Sequence, residues 1–524
     1  MKNYVLLWVV LTILATVLLI LVLNGWSGFA VPGIVVVFIA SAVTAIIIAN
    51  EIRRPVPQEY YRKKALYPKI DDKFLFDTPP SGSVIFGKDI HTEKIVASTP
   101  GGHVFVIGGT GSGKTSAILL PTVYSHGGTG SLQVIDIKSR EISRLTCVLD
   151  DPKTQIVDLN LRKPYAYGWN ILYKLKNDGT DTEQDVLDVI QEIAYIIVPK
   201  SAANNAFWDD AARNELIGLF LYEYVYCGKR EFIDIIKCIM NTPLQEHLEG
   251  ALNGSPRDSL VASYLTSLAS SAEETLFSVD LTLAQRLYPF LSDDAVYFFR
   301  DNVKRTNPTV LHKDGYKQYL CVDEHKLDSG YDRFVNIIMK QTLQELQSRT
   351  TSGSYADCLL IWDEWGRLTS SERSGAEGGL RSATESFLMT ARSKHASVVL
   401  CAQNLDGFER QQILSILSNI GYTIILNSNN PQSFTAEVAT KMAGTYYEKE
   451  RSYSESKGTS ITTSFRERQI LKPEDLNSMQ DEAILIITNS GYARVKKQPY
   501  YNTQPYQSKY EKILAVNKVA MEGP

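Results

Sequence analysis

The run Gly108-Gly109-Thr110-Gly111-Ser112-Gly113-Lys114-Thr115, followed by Ser116, sets glycines and hydroxyls around one lysine. It meets every fixed position of G-x-x-x-x-G-K-[ST], directly after the apolar run HVFVIGG (103–109) and before the helix-like TSAILLPTVYSH (115–126). Glycines let successive backbone amides turn toward one anion, and a helix N-terminus adds its dipole. The chemistry is a triphosphate cradle, in which Lys114 reaches the β- and γ-phosphates and Thr115 holds Mg²⁺. Such a cradle needs a second metal carboxylate and a group to activate water. CLLIWDEWGRL (358–368) supplies an apolar strand ending in Asp363 and Glu364. Asp363 would hold the metal through water and Glu364 would polarise the attacking water, which favours nucleoside triphosphate hydrolysis over transfer to a small molecule.

Two further candidates follow. SVVLCAQN (397–404) presents Gln403 near the end of a strand, where its amide either senses the γ-phosphate or is an ordinary polar strand end. Upstream, Arg392 and Lys394 lie in TARSKHASV. An arginine on a surface helix is usually only solvated. In a ring, Arg392 could reach the neighbour's nucleotide and stabilise transition-state charge.

The elements that must hold these residues read as an α/β domain. Strands are expected in HVFVIGG, SLQVIDIK (131–138) and TQIVDLN (154–160), with helices between, so the strands should be parallel. Roughly 240 residues separate the phosphate loop from the acid pair, whereas one crossover needs about a dozen. Helix-period patterns fill 181–300 and predict an all-helical insertion. Strands return in YKQYLCVDE (316–324), DCLLIWDE, SVVLCAQN, YTIILNS (422–428), EAILIITNSG (482–491) and YARVKKQPYY (492–501). The expected organisation is a nucleotide-binding domain at 75–180 and 301–501, interrupted by the insertion and followed by a loosely ordered polar tail at 502–524.

The first fifty residues differ from everything after them. Residues 4–23 and 29–49 are two uncharged apolar stretches, and about 20 helical residues span roughly 30 Å of hydrocarbon. Their connection NGWSG carries no positive charge, whereas Lys2 and the group Arg53, Arg54, Arg62, Lys63 and Lys64 flank them. A two-helix transmembrane hairpin (1–50) with both termini cytoplasmic is expected, joined by a juxtamembrane linker (51–74) that touches anionic headgroups. The net charge of −4 gives no sign of a strongly basic nucleic-acid surface, so any DNA contact must be local or arise on assembly. Six scattered cysteines without C-x-x-C spacing argue against a disulfide framework or zinc site and fit a reducing compartment.

Together these residues resemble the coupling ATPases of type IV secretion and conjugation. The resemblance rests on the anchor, GGTGSGKTS, VIDIKSRE with Asp136 and Lys138, YGWNIL around Trp169-Asn170, FWDDAAR (207–213), IWDEWGRL, ARSKHASVVLCAQN and the closing Tyr500-Tyr501. The resemblance implies a RecA-type P-loop NTPase domain with an inserted all-α domain on a two-helix transmembrane hairpin. It further implies a homohexamer at the bacterial inner membrane that uses ATP and Mg²⁺ to pass single-stranded DNA, or DNA-bound protein, into the secretion channel. Partners would be the relaxase or relaxosome, the type IV channel proteins and the lipid bilayer. The Arg392-to-Gln403 spacing looks like that family's arginine finger and glutamine motif. The serine- and glycine-rich stretch after Glu364 is longer than the family pattern, and no long acidic tail follows residue 501. The competing readings are an ATPase for protein-only secretion or phage assembly, an ATP-driven transporter and a septal chromosome pump. Two spans make a poor conduit and no ABC-type signature segment is seen, while the tail is too short for a duplex-reading winged helix.

Overall fold

Apolar strands buried on both faces and linked by helices pair in parallel, and the computed structural model contains such a sheet. It describes residues 58–522 apart from 127, 139, 149–150, 160–165, 200–205, 300–303, 351–352, 370–379, 429, 455–459 and 489, together with 12–13, 15–17, 19–20 and 35–46. The chain separates into two units, one of residues 1–67 and 445–470, the other of residues 68–444 and 471–524.

The larger unit holds a 14-stranded sheet. In chain order its first strands are β1 (Leu75–Phe76), β2 (Ile85–Asp89), β3 (Ile95–Ala97), β4 (Val104–Ile107), β5 (Ser131–Asp136), β6 (Thr154–Asp158) and β7 (Ala166–Trp169). After the helical insertion come β8 (Arg305–Thr306), β9 (Lys317–Cys321), β10 (Cys358–Trp362), β11 (Ala396–Ala402) and β12 (Tyr422–Ile425). The smaller unit contributes β13 (Thr445–Ser454) and β14 (Ser460–Gln469), and the sheet finishes with β15 (Glu482–Ile487) and β16 (Gly491–Lys496). The spatial order is β1-β3-β2-β16-β15-β12-β4-β11-β10-β5-β9-β6-β7-β8. From β12 to β8 all neighbours are parallel. From β12 to β1 they are antiparallel.

Registers align the carboxyl ends of the central strands. Trp362 lies opposite both Ile135 and Leu400, and Ile107 lies opposite both Ala402 and Ile425. One face of this sheet packs Val104, Val106, Val134, Ile361 and Val399 against Ile118, Leu119 and Val123 of the first crossover helix, in a single buried cluster.

Between β7 and β8, helices Glu183–Ile197, Ala206–Leu221, Phe232–Asn241, Leu244–Gly254, Leu260–Ala269, Glu273–Leu287 and Asp293–Phe299 follow one another as a helical insertion, with no strand among the described residues. Thr182 starts the first of them with a reciprocal cap, its hydroxyl accepting from the Asp185 amide while Asp185 Oδ2 accepts from the Thr182 amide. Phe290 and Phe299 pack on Phe334 of the body helix Asp332–Gln347, with centroids 4.7 and 5.4 Å apart. These rings tie the insertion to the sheet domain.

Two sequence expectations change. The tail is a helix, Tyr506–Glu522, not a loose segment. Tyr506 is buried, Lys509 Nζ donates to the Tyr124 carbonyl at 2.5 Å, and Asn517 Nδ2 donates to the Cys147 carbonyl at 2.8 Å. Buried side chains and two long-range bonds offset the weak intrinsic order of a polar terminus. Residues 445–470, expected within the nucleotide-binding domain, instead group with residues 1–67. In that smaller unit β13 and β14 form an antiparallel ribbon and the helix Gln58–Leu66 packs on β13. Most of the apolar stretches 4–23 and 29–49 lies outside the described residues, and among the described residues no helix is long and apolar enough to cross a membrane. Within the helical residues 35–46, Val35, Val36, Phe38, Ile39, Val43 and Ile46 are all exposed.

Candidate active site

The site is assembled by strand order. The phosphate loop follows β4, Gln403 follows β11 and the acid pair follows β10, three adjacent strands. Strand spacing puts the β4 and β10 backbones about 10 Å apart, a gap that two long side chains can close. Lys114 Nζ lies 4.0 Å from Glu364 Oε1, both side chains buried. From the strand between them, Gln403 Nε2 donates to Glu364 Oε2 at 3.3 Å. The fold therefore brings Lys114, Asp363, Glu364 and Gln403 together.

Glycine is required at two points of the loop. Gly113 opens the helix at φ 98°, a region that side chains with a Cβ avoid. A Cβ on Gly108 would come within 2.5 Å of Ser112 Oγ. The loop is tied down by the Ala402 carbonyl, which accepts from the Gly108 amide at 3.1 Å. Downstream, the first helical turn is wide, with the Leu120 amide donating to the Thr115 carbonyl five residues back, a feature often found at functional sites. Thr110 and Gly111 are exposed, while Thr115 and Ser116 lie half-buried at the helix start.

Lys114 Nζ donates to the Gly108 carbonyl at 2.5 Å. Ser112 Oγ is buried with no hydrogen-bond partner. A buried, unpaired hydroxyl in a loop of glycine amides is the signature of a cradle fitted to an anionic ligand. Thr115 at the helix start and Asp363 at the end of β10 are the residues that would hold Mg²⁺.

Asp363 is enclosed, and burial followed by the neighbouring Glu364 charge pushes its carboxyl up to about 7, against the pull of Lys114. Glu364 sits at φ 53°, a left-handed conformation uncommon for a side-chain-bearing residue and worth of order 1 kcal/mol of backbone strain. The turn aims its carboxylate back toward the loop. Asp136, at the end of β5 beside β10, takes the amide and hydroxyl of Ser143 at 2.7 and 2.9 Å. Burial raises its carboxyl to about 6. Asp136 and Lys138 both act electrostatically on Asp363, so this pair borders the site as well as shaping a turn.

Arg392 is not brought to this site. It is exposed in the turn Ala391–Lys394 before β11, and its charge acts on His103 at the opposite end of β4. The five residues from His103 to Gly108 span roughly 16 Å of strand, so this arginine cannot serve its own chain's phosphate loop.

Three residues near the site escaped the sequence reading. Asn427, just after β12, accepts the Gly109 amide on Oδ1 at 3.2 Å. Lys497, just after β16, donates to the carbonyls of Ser112 and Gln480 at 3.0 and 2.9 Å. Arg140 grips Asp158 through two bonds of 3.0 Å and Asp323 through one of 2.7 Å, tying together the ends of β5, β6 and β9. Asn427 carried the only local signal, as a polar residue ending an apolar strand.

A glycine loop and lysine after one parallel strand, with an acid pair two strands away, define a P-loop NTPase fold. The chain belongs to the type IV secretory system conjugative DNA transfer family, whose family model matches residues 63–523. No curated relative matches the sequence. Its fold is similar to that of the bacterial conjugative coupling protein TrwBdeltaN70 in an unbound form, with TM-score 0.56 and 16% identity over 76% of this chain and 84% of that one. TrwB in complex with the non-hydrolysable ATP analogue ADPNP aligns with TM-score 0.58 and 15% identity over 86% of this chain and 95% of that one. TrwB in complex with ADP and Mg²⁺ aligns with TM-score 0.56 and 16% identity over 84% and 95%.

Proposed function

We propose that the protein is a membrane-anchored, DNA-dependent ATPase that couples a relaxase–DNA substrate to a type IV secretion channel. The observation that carries this reading is the convergence of Lys114, Glu364 and Gln403 under one phosphate loop, within a chain of the conjugative DNA transfer family. ATP binds along the Gly108–Ser116 loop, a reading supported by the complex of the similar protein TrwB with an ATP analogue. Lys114 leaves the Gly108 carbonyl for the phosphates. Glu364 takes a proton from the attacking water, and Gln403 holds Glu364 in orientation while sensing the γ-phosphate. Thr115 and Asp363 would hold Mg²⁺, which when bound would supply charge neutralisation for the transferred phosphoryl group.

Arg392 works in this proposal on the next subunit's nucleotide in a homohexameric ring, a role consistent with its exposure at the strand ends opposite its own loop. The protein sits in the bacterial inner membrane with both termini cytoplasmic, supported by the two apolar stretches, their basic flanks and the exposed apolar side chains of residues 35–46. Single-stranded DNA is held by its backbone in the central pore, with little sequence preference.

The test is ATP turnover by the full chain in detergent, with and without single-stranded DNA. Strong stimulation by DNA, lost in Lys114→Ala, supports DNA transport. Turnover that ignores DNA but responds to a secreted protein would shift the reading to protein-only secretion. Arg392→Ala should abolish turnover in assembled rings and leave the residual activity of isolated chains untouched; equal loss in both would remove the neighbour role.

A further inference from the structure

The helical insertion carries a second cluster of chemistry-bearing side chains, built from three successive helical segments. Glu223 lies in the turn Tyr222–Tyr226 that closes the long helix Ala206–Leu221, Cys238 in the last turn of Phe232–Asn241, and His247 in the first turn of Leu244–Gly254. Gly228, at φ 73°, turns the chain after the first segment, and Thr242-Pro243 turns it after the second. These two reversals make three helix ends converge. One ligand atom from each of the three residues lies within 4.8 Å of the others, with Glu223 and His247 buried and Cys238 half-buried. His247 Nε2 stands 2.7 Å from Glu223 Oε1. Its Nδ1 is buried with no hydrogen-bond partner.

We propose that Glu223, Cys238 and His247 form a zinc site in the helical insertion. A thiolate, an imidazole and a carboxylate are the donor set that selects Zn²⁺ over Mg²⁺ or Ca²⁺. Metal–ligand bonds of about 2.0–2.3 Å set tetrahedral donors roughly 3.3–3.8 Å apart, so the cluster needs only small side-chain movements, with the Glu223–His247 pair opening slightly. The fourth position falls to water or to Cys227, whose exposed thiol lies within electrostatic reach of Glu223 and Cys238. The absence of C-x-x-C spacing does not bear on such a site, because its donors come from separate helices and only one need be sulfur.

Lys229 is the built-in competitor. Its ammonium donates to Glu223 Oε2, and must withdraw when the metal enters. Removing that ion pair separates a metal site, which would keep or gain affinity, from a plain buried ion-pair network. The full-length protein, loaded with Zn²⁺ and dialysed, should retain about one equivalent by elemental analysis. Cys238→Ser and His247→Gln should each weaken Zn²⁺ retention at least about tenfold against a chromophoric chelator, while Lys229→Met should hold it as tightly or more tightly. Retention below a tenth of an equivalent, or retention unchanged in both ligand variants, would overturn the site. Should a ligand variant fail to fold, Co²⁺ substitution of the unaltered chain is the second readout: the site requires a thiolate-to-metal charge-transfer band, and no such band means no site.

Discussion

The two ends of the parallel strands hold their buried cations in opposite ways. Before β9, β10 and β11, Arg349 is almost wholly enclosed and donates to four carbonyls, those of Leu311, Ala356, Lys394 and His395, at 2.7 to 3.1 Å. Its guanidinium is matched by fixed backbone dipoles and by the His312 ring, whose Nδ1 accepts from Nε at 3.0 Å. After β4, β10 and β11, Lys114 has one carbonyl and a carboxylate 4.0 Å away, beside an unpaired Ser112 hydroxyl and a carboxyl that burial holds up near 7. One end is satisfied and structural. The other keeps unused hydrogen-bonding capacity, which is what a site that exchanges ligands needs.

The sharpest break of that contrast is Glu364→Gln. Removing the base should lower ATP turnover by about 10²–10⁴-fold while nucleotide binding and the melting temperature stay close to those of the parent. Turnover retained in this variant would move the base elsewhere. At the opposite end, Arg349→Met should do the reverse. It strips donors from the carbonyls of Ala356 and Lys394, while those of His395 and Leu311 keep the Cys358 amide and the Ser131 hydroxyl, and should cost roughly 2–4 kcal/mol of stability, read by denaturant unfolding. Whatever folded protein remains should bind nucleotide normally.

Those two residues also mark what the sequence reveals. The glycine loop, the acid pair and Gln403 were legible because phosphate chemistry fixes residue types within one strand–loop junction. The helical insertion was legible from its period. Arg349 was not, since its partners lie 7 to 46 positions away and all but the His312 ring are backbone carbonyls, which carry no side-chain signature. Asn427 and Lys497 reach the loop only because β12 lies beside β4 and the antiparallel strands extend the sheet from there, and strand order cannot be read from spacing. The helical tail was missed for a related reason: its order comes from Tyr506, Lys509 and Asn517 meeting residues more than 350 positions earlier.

A third test uses pH. The Asp363 carboxyl rises from an ordinary 3.8 to about 7 in the folded chain. A raised carboxyl binds its proton more tightly when folded, so its contribution to stability is greatest at low pH and fades as pH climbs from about 4 through 7. Metal binding has the opposite preference because it needs the ionised form. Mg²⁺-dependent nucleotide affinity should therefore be constant above about pH 8 and fall by up to about tenfold per unit below 7, as followed by calorimetric titration from pH 8 to 5.5. Asp363→Asn should flatten that profile at weak affinity, and an unaltered profile in the variant would assign the titration to another group.

The smallest effect should come from Asn427→Ala. Its amide oxygen accepts the Gly109 amide at 3.2 Å, holding the loop from the neighbouring strand β12. The loop is half-exposed here, so water can take over the lost bond and the cost should stay near 1 kcal/mol. That corresponds to roughly fivefold weaker nucleotide binding, with turnover at saturating ATP unchanged because the reacting groups are untouched. A loss in turnover instead of affinity would mean that Asn427 positions the loop for the chemical step, and would enlarge the ligand-exchanging end of the sheet by one strand.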